Sequence, residues 1–515
     1  MIHERSLGYA KSVSLLFGLC IGPGLVVIPS MFRELGSICT ILGLSFTGIL
    51  AFSSCWMLLY SQARLSISRG SRIAFLLLCN QLCMRPVYLA ITVVFTLSLT
   101  MMSFGGMLQV TLAMDHFIAH SFGYVCGIQL NDFAWVCSEP DFPLFPQGSI
   151  VITEGYLTSL LLIAPMSFFK PQAITNMHIL LHVVLIHTLL WLCLSLSPNF
   201  DSTRVPSIGR GLSLGKFIGA CFFSFTVAIS VPGWNTERLL SAGAKRTIAF
   251  AITSATAVML IVGYVVACSV SGFDGEMIKD VGRTSNWGAI ACVTLLSMIE
   301  HLCSLPVISL MLYATVTICY DKDDTKAFLA QMAGTLVPWV AVVPLYQGQA
   351  LTNIIEYGGL LFTGITCFIV PPLLFIIALH QSASIREVDI SNVESVSEAV
   401  YLLEDSNMHV DDDERETLNE QFPEISSSTG LRVAYLVALS QLGIVSCALL
   451  ITLGSTLKAT FLGKHESHWK FFSSNSNFCH TNFIRNVRVS DLAPLDVGVV
   501  EILLVVASEG CSRCE

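Results

Sequence analysis

The sequence predicts an all-α polytopic membrane protein of about eleven transmembrane helices, a five-plus-five inverted repeat in which helices one and six are broken. Three observations predict it. The 515 residues are 54% hydrophobic and only 12% charged, with a mean hydropathy of +0.71, against about 25% charged in soluble domains. Runs of about 20 apolar residues, enough to cross a bilayer, recur along the chain. Two of these runs, five helices apart, are interrupted by proline and glycine.

Eleven spans are read, at 8–32, 37–60, 86–114, 150–169, 173–197, 215–234, 247–270, 287–320, 326–346, 352–379 and 431–455. The run from Ile73 to Met84 is too short to cross and lies between Arg72 and Arg85, so it is read as interfacial or re-entrant. The transporter core is expected over 8–379, with repeats 8–197 and 215–379. Residues 380–430 turn polar and acidic, with Asp411-Asp412-Asp413-Glu414, and read as a flexible cytoplasmic loop. Within it, Glu398, Leu402 and Leu403 have the acidic dileucine form that sorting adaptors read; a short amphipathic turn is the plainer reading. After the last span, 456–515 is a poorly defined tail whose apolar patch, Val497 to Ala507, is too short to span.

Lysine and arginine are retained on the cytoplasmic side of short loops. With the N-terminus cytoplasmic, twelve fall on that side and six opposite. The membrane is expected to be an endomembrane of vacuole or lysosome type or the plasma membrane. No cleavable signal peptide is expected, because the first apolar run is too long and no small-residue cleavage site follows it. The net charge of −9 comes mostly from the acidic loop and implies no nucleic-acid partner. The 18 cysteines lie mainly in apolar runs, with one isolated pair at Cys511 and Cys514 and no zinc spacing. The loop read over Asp115–Ser149 holds Asp132, Glu139 and Asp141 but no Lys or Arg, and its Cys126 and Cys137 either pair in an oxidising compartment or stand as two thiols.

The first break is Gly22-Pro23-Gly24-Leu25, followed by Pro29. A straight helix penalises each glycine by about 1 and an interior proline by about 3 kcal/mol. Breaking there frees backbone N–H and C=O groups in hydrocarbon, which is tolerable where protein or a substrate cavity satisfies them. A proline kink against a neighbour is the simpler alternative. Helix six carries the second break, Ser230-Val-Pro232-Gly233, preceded by Phe223 and Phe225. Matching breaks in two halves point to an inverted-repeat secondary transporter. Half-helix N-termini favour a carboxylate and freed carbonyls an ammonium, so a zwitterion suits the pair.

These residues resemble the amino acid/auxin permeases, which include the sodium-coupled neutral amino acid transporters, over roughly residues 8 to 379. The resemblance is carried by Ile21-Gly22-Pro23-Gly24-Leu25 with Pro29, by Phe223-Ser-Phe225 leading to Thr236-Glu237, by Ser304-Leu-Pro306 in helix eight, and by Gly358-Gly359-Leu360 through Pro371-Pro372 in helix ten. It implies a transported amino acid and an eleven-helix layout. Sodium-coupled members carry Asn where this chain has Gly18, and the family's sixth-helix His position aligns with Ala228.

An intramembrane carboxylate costs about 2.5 to 3.5 kcal/mol on insertion scales and is a functional candidate by default. Glu300, beside His301 and one turn before Ser304, is the candidate carrier of a coupling proton, with a cavity-lining or snorkelling pair as the alternative. His178, His182 and His187 in helix five offer a second relay, or polar packing between helices. The candidate substrate-binding residues are thus Gly22, Pro23, Gly24, Leu25, Phe223, Phe225 and Ser230; Glu300, Ser304 and His182 are the candidates for ion coupling, to a proton ahead of sodium. No catalytic set, resident metal or cofactor is expected. The rivals are a membrane amino acid sensor of the same fold, signalling through the acidic loop, and a transition-metal transporter using the helix-five histidines with Glu300.

Overall fold

The structure is a computed structural model that describes residues 7–21, 23–65, 74–139, 150–169, 171–209, 214–239, 241–271, 277–284, 286–317, 324–346, 351, 354–391 and 428–473. The dileucine at Glu398, Leu402 and Leu403 and the Cys511–Cys514 pair lie outside the described residues. All eleven expected spans contain helix. Eight described helices are long and apolar enough to cross a membrane, nine when a pair bent by 52° near residue 22 is taken as one span.

That bent pair is α1 (Tyr9–Cys20) and α2 (Ile28–Leu35), joined by a 3-10 stretch, Pro23–Val27. Then come α3 (Ser37–Arg64), α4 (Ala74–Leu82), α5 (Arg85–Phe122), α6 (Glu154–Ile163) with a 3-10 extension to Phe168, and α7 (Pro171–Leu196). The second half opens with α8 (Leu214–Ser224), a 3-10 stretch at Thr226–Ser230 and α9 (Val231–Glu237). It continues through α10 (Ala244–Ser269), α11 (Met277–Gly282), α12 (Trp287–Thr317) and α13 (Asp324–Val342). Span ten is wound as a π-helix over Ile354–Thr363 and Ile365–Ile369 before α14 (Val370–Ser391), and α15 (Ser428–Ser473) ends the described chain.

One continuous apolar core runs through both halves. Within it α12 packs on α5, α7 and α13, α1 packs on α7 and α10, and α8 lies along the π-helix. The segment read as interfacial or re-entrant is α4; Phe75, Leu76, Leu78 and Cys79 are buried, and it packs on α5, α9 and α14. Its inward face is therefore covered by protein.

Between spans three and four the structure adds two features to the expected loop. First, α5 continues through Asp115 to Phe122, because Asp115 is a buried helix residue that accepts hydrogen bonds from Thr153 Oγ1 at 2.7 Å, from the Gly155 N–H at 2.8 Å and from the Tyr346 hydroxyl. A carboxylate at the N-terminus of α6 is stabilised there by the dipole as well as by the bonds. Second, a three-stranded antiparallel sheet of order β2-β1-β3 follows: β1 (Val125–Gln129), β2 (Ala134–Ser138) and β3 (Val151–Thr153). Cys126 and Cys137 are cross-strand partners and form a disulfide.

Two arginines on the side counted as basic-poor have helix-terminal partners. Arg33 Nε donates to the Ala267 carbonyl at 2.7 Å, and Arg204 Nη1 to the Ser269 carbonyl at 2.7 Å. Both thus cap the C-terminal end of α10, where unsatisfied carbonyls and the dipole favour a cation.

Candidate functional site

The two breaks are built alike. Each is a helix ending in the span, then five residues of 3-10 helix, then a helix with proline at its second position, Pro29 in α2 and Pro232 in α9. Proline is tolerated there because the first helical N–H groups have no intrahelical acceptor. In each, a serine hydroxyl turns back to the carbonyl three residues earlier: Ser30 to Val27 at 2.7 Å and Ser230 to Val227 at 2.8 Å.

The breaks also meet. Thr226 Oγ1 donates to the Leu19 carbonyl at 3.0 Å, both residues being buried. Leu19 lies in the last turn of α1, where carbonyls lack an intrahelical donor, so a side chain from the second break satisfies a group freed by the first. Cys367, in the π-helical span, lies with its thiol 3.9 Å from the carbonyl of Thr226. Gly24 fits because it has no side chain: a Cβ there would overlap Ser224 Oγ and fall 2.9 Å from the Ala220 carbonyl. The contact at Gly24 needs close backbone approach between the two broken spans.

The expected substrate residues divide. Gly22 lies outside the described residues, and Pro23 opens the 3-10 stretch. Gly24 belongs to the contact between the breaks, Leu25 lies fully buried in the first 3-10 stretch, and Ser230 ends the second, bonded to the Val227 carbonyl. Phe223 and Phe225 are also buried but diverge: the Phe223 ring packs at Gly358 and Gly359 of span ten, whereas the Phe225 ring lies near Gly48 of α3.

The ion-coupling candidates form two groups around α12, one toward α5 and one toward α1 and α7. Toward α5 there is a ladder of three rungs. The His301 ring packs on Gly106, where a Cβ would fall 2.9 Å from its Nδ1; Gln109 Nε2 donates to Glu300 Oε2 at 3.2 Å; and Thr294 Oγ1 donates to the Ala113 carbonyl at 3.1 Å. Ser304 belongs to this side, its hydroxyl 3.5 Å from His301 Nδ1. Glu300 Oε1 and Gln109 Oε1 are buried without a described hydrogen-bond partner. Toward α1, His182 of α7 shares a 2.8 Å hydrogen bond with Ser14 and packs edge-on against Phe17. Here Gly18 allows α1 to approach α12, since a Cβ would lie 3.3 Å from Cys303.

The three histidines of helix five do not converge. His178 is buried, His182 turns to Ser14, and His187 is an exposed residue bonded to its own helix at the Val183 carbonyl. Sequence reading missed Gln109 and Ser14. Each is an uncharged polar residue in an apolar run, and the available signal was Gly105-Gly106 one turn before Gln109, a close-packing mark in a membrane helix.

Fold and site together define a polytopic helical membrane protein whose first and sixth spans are discontinuous and in contact. No protein-family model matches the sequence, and no curated protein matches it. Among solved structures, the chain is similar to a manganese transporter of Eremococcus coleocola in complex with an aromatic bis-isothiourea substituted compound, at 12% identity over 88% of this chain and 97% of that one, with a TM-score of 0.46. It is also similar to a nucleobase-cation-symport-1 family transporter in a closed conformation with bromovinylhydantoin bound, at 16% identity over 86% and 93%, with a TM-score of 0.43.

Proposed function

We propose that this chain is a secondary active transporter of amino acids, driven by protons and working by alternating access. The observation that supports it is the meeting of two like-built helix breaks, Thr226 on the Leu19 carbonyl and Gly24 against α8, in a molecule that also buries a carboxyl on α12. Breaks of this kind offer N–H groups to a carboxylate and carbonyls to an ammonium within one site. The substrate is the zwitterion that takes both.

Proton coupling rests on Glu300. Its described partner is the amide of Gln109, and taking up a proton removes a charge that apolar surroundings penalise. Helix α12 reaches both places, meeting α5 at Glu300 and α1 at Cys303 against Gly18. Glu300 and Cys303 are three residues apart and neighbours on the helix surface, so loading a proton at Glu300 bears on the turn of α12 that packs on α1. The N-terminus is proposed to be cytoplasmic, in an endomembrane or the plasma membrane.

The test is uptake of labelled amino acids into proteoliposomes under a proton gradient, a sodium gradient or neither. Accumulation is expected under the proton gradient alone. Glu300→Gln is expected to abolish the pH dependence of uptake while exchange persists; unchanged pH dependence would remove Glu300 from the mechanism. Amino acid binding without any uptake would favour the sensor reading.

A further inference from the structure

The sheet between spans three and four has the wrong polarity for a hairpin standing in water. Its inner face packs on the protein through Val125, Gly127, Val151 and Thr153, all buried. An antiparallel sheet packed on one side normally turns polar residues outward. Here the outer face carries Ile128 and Trp135, opposite one another in the register of β1 with β2, while Ile152 beside Ile128 is half-buried against the core. Trp135 is 62% exposed, Ile128 39%, and Phe133 in the connecting turn 82%. Phe122 and Tyr124, between α5 and β1, are 71% and 55% exposed. Several apolar side chains on one exposed face mark a surface that something covers.

The position of the sheet identifies the cover. Helix α5 ends at Phe122 and β1 begins at Val125, while β3 runs into α6 without an intervening residue. The β3 root of the sheet is therefore at the start of a membrane helix, and the Cys126 N–H donating to Glu154 Oε2 at 3.4 Å holds β1 at the same level. A five-residue strand is about 17 Å long, and the headgroup layer occupies roughly 5 to 8 Å on each side of the hydrocarbon. On α6, which follows β3 directly, Leu157, Leu161 and Leu162 are exposed as well. Tryptophan and tyrosine settle in the headgroup layer, where one end of the ring is dry and the other wet. The segment 115–149 has no Lys or Arg, so its attachment does not draw on anionic lipid.

We infer that the outer face of this disulfide-closed hairpin, Trp135, Ile128 and Phe133 above all, rests in the headgroup layer of the bilayer and anchors the connection between spans three and four. The occupant is lipid rather than another protein. The inference does not depend on what the chain transports.

The experiment uses the full chain reconstituted in phosphatidylcholine vesicles carrying bromine at chosen depths. The contribution of Trp135 is obtained by subtracting the spectrum of Trp135→Phe, with Trp135→Tyr as a second variant, and intactness is checked by the Cys126–Cys137 bond. Trp191, exposed on α7, is the control for a lipid-facing ring. The Trp135 component is expected to be quenched most by bromine near the top of the acyl chains and little by aqueous iodide, with no change when anionic lipid is added. Quenching by iodide and not by bromolipid would put the face in water and overturn the inference. Quenching by neither would also overturn it, since the face would then be covered by residues 140–149, a second copy or another protein.

Discussion

Thr226 and Gln109 show how much a single uncharged polar side chain carries when no water is at hand. Removing the partner of a buried acceptor costs about 1 to 3 kcal/mol, because the group left behind keeps its desolvation penalty. Thr226→Val is therefore expected to lower the melting temperature of the detergent-solubilised protein and to impair uptake, whereas Thr226→Ser, which keeps the hydroxyl facing the Leu19 carbonyl, should do neither. Gln109 obeys the same rule with a twist. Gln109→Leu strips Glu300 of its described donor and should destabilise, but replacing both members of a pair by apolar groups can be nearly neutral. The double variant Gln109→Leu with Glu300→Leu should thus be more stable than Gln109→Leu alone in the same melting measurement; an additive loss would show that the two do not act as a pair. At this scale the sequence was legible where a residue is costly in its setting. Glu300 announces itself because a carboxyl in an apolar run is expensive, and Pro23 and Pro232 because each marks a broken span, though the second break falls at Thr226–Ser230 and Pro232 heads α9 instead of interrupting a helix. Gln109 and Ser14 are cheap enough in a membrane helix to pass unnoticed.

At the scale of elements, the tightest seam lies between α8 and the π-helical span. A Cβ on Gly359 would overlap the Gly219 carbonyl, and one on Gly219 the Glu356 carbonyl, so the two backbones touch without side chains between them. Overpacking such a contact typically costs 1 to 3 kcal/mol. Gly359→Ala is expected to lower the melting temperature, while Gly443→Ala on α15, where a Cβ would meet nothing within 4 Å, should not. The spans and breaks were readable because apolar length, glycine and proline act locally. The π winding of span ten was not, since no composition selects i→i+5 over i→i+4 bonding. The sheet escaped too: β1 and β2 have only five residues each, and β3 pairs with β1 from beyond more than twenty residues of chain, so no local alternation reports it. Helix α5 was read eight residues short because Asp115 looks like a loop residue until Thr153, Gly155 and Tyr346 are brought to it by the fold.

For the whole molecule, the halves meet where α12 packs on α5 and α7, α10 on α1, α2 and α3, and α14 on α3, and the end of α9 is tied down by a strand-like bridge. Leu7 donates its N–H to the Glu237 carbonyl at 3.2 Å and accepts from the Leu239 N–H at 3.0 Å, fastening the start of the chain to the end of α9. The matched construction of the breaks, helix to 3-10 to proline-headed helix, was foreseeable from proline spacing; their physical contact through Thr226 was not, because 207 residues separate it from Leu19. The Cys126–Cys137 bond bears on the molecule as a whole. It is expected to withstand thiol alkylation in protein taken from cells, with a mass shift at both cysteines only after reduction; alkylation without reduction would show that the bond does not form. Such a bond persists only outside the reducing cytosol. Each span reverses the side on which the chain emerges, so one oxidised loop sets the parity of every other: odd loops with it, even ones and the N-terminus across from it. A fourteen-residue hairpin would then orient the entire protein, by a chemical mark that owes nothing to counting lysines and arginines.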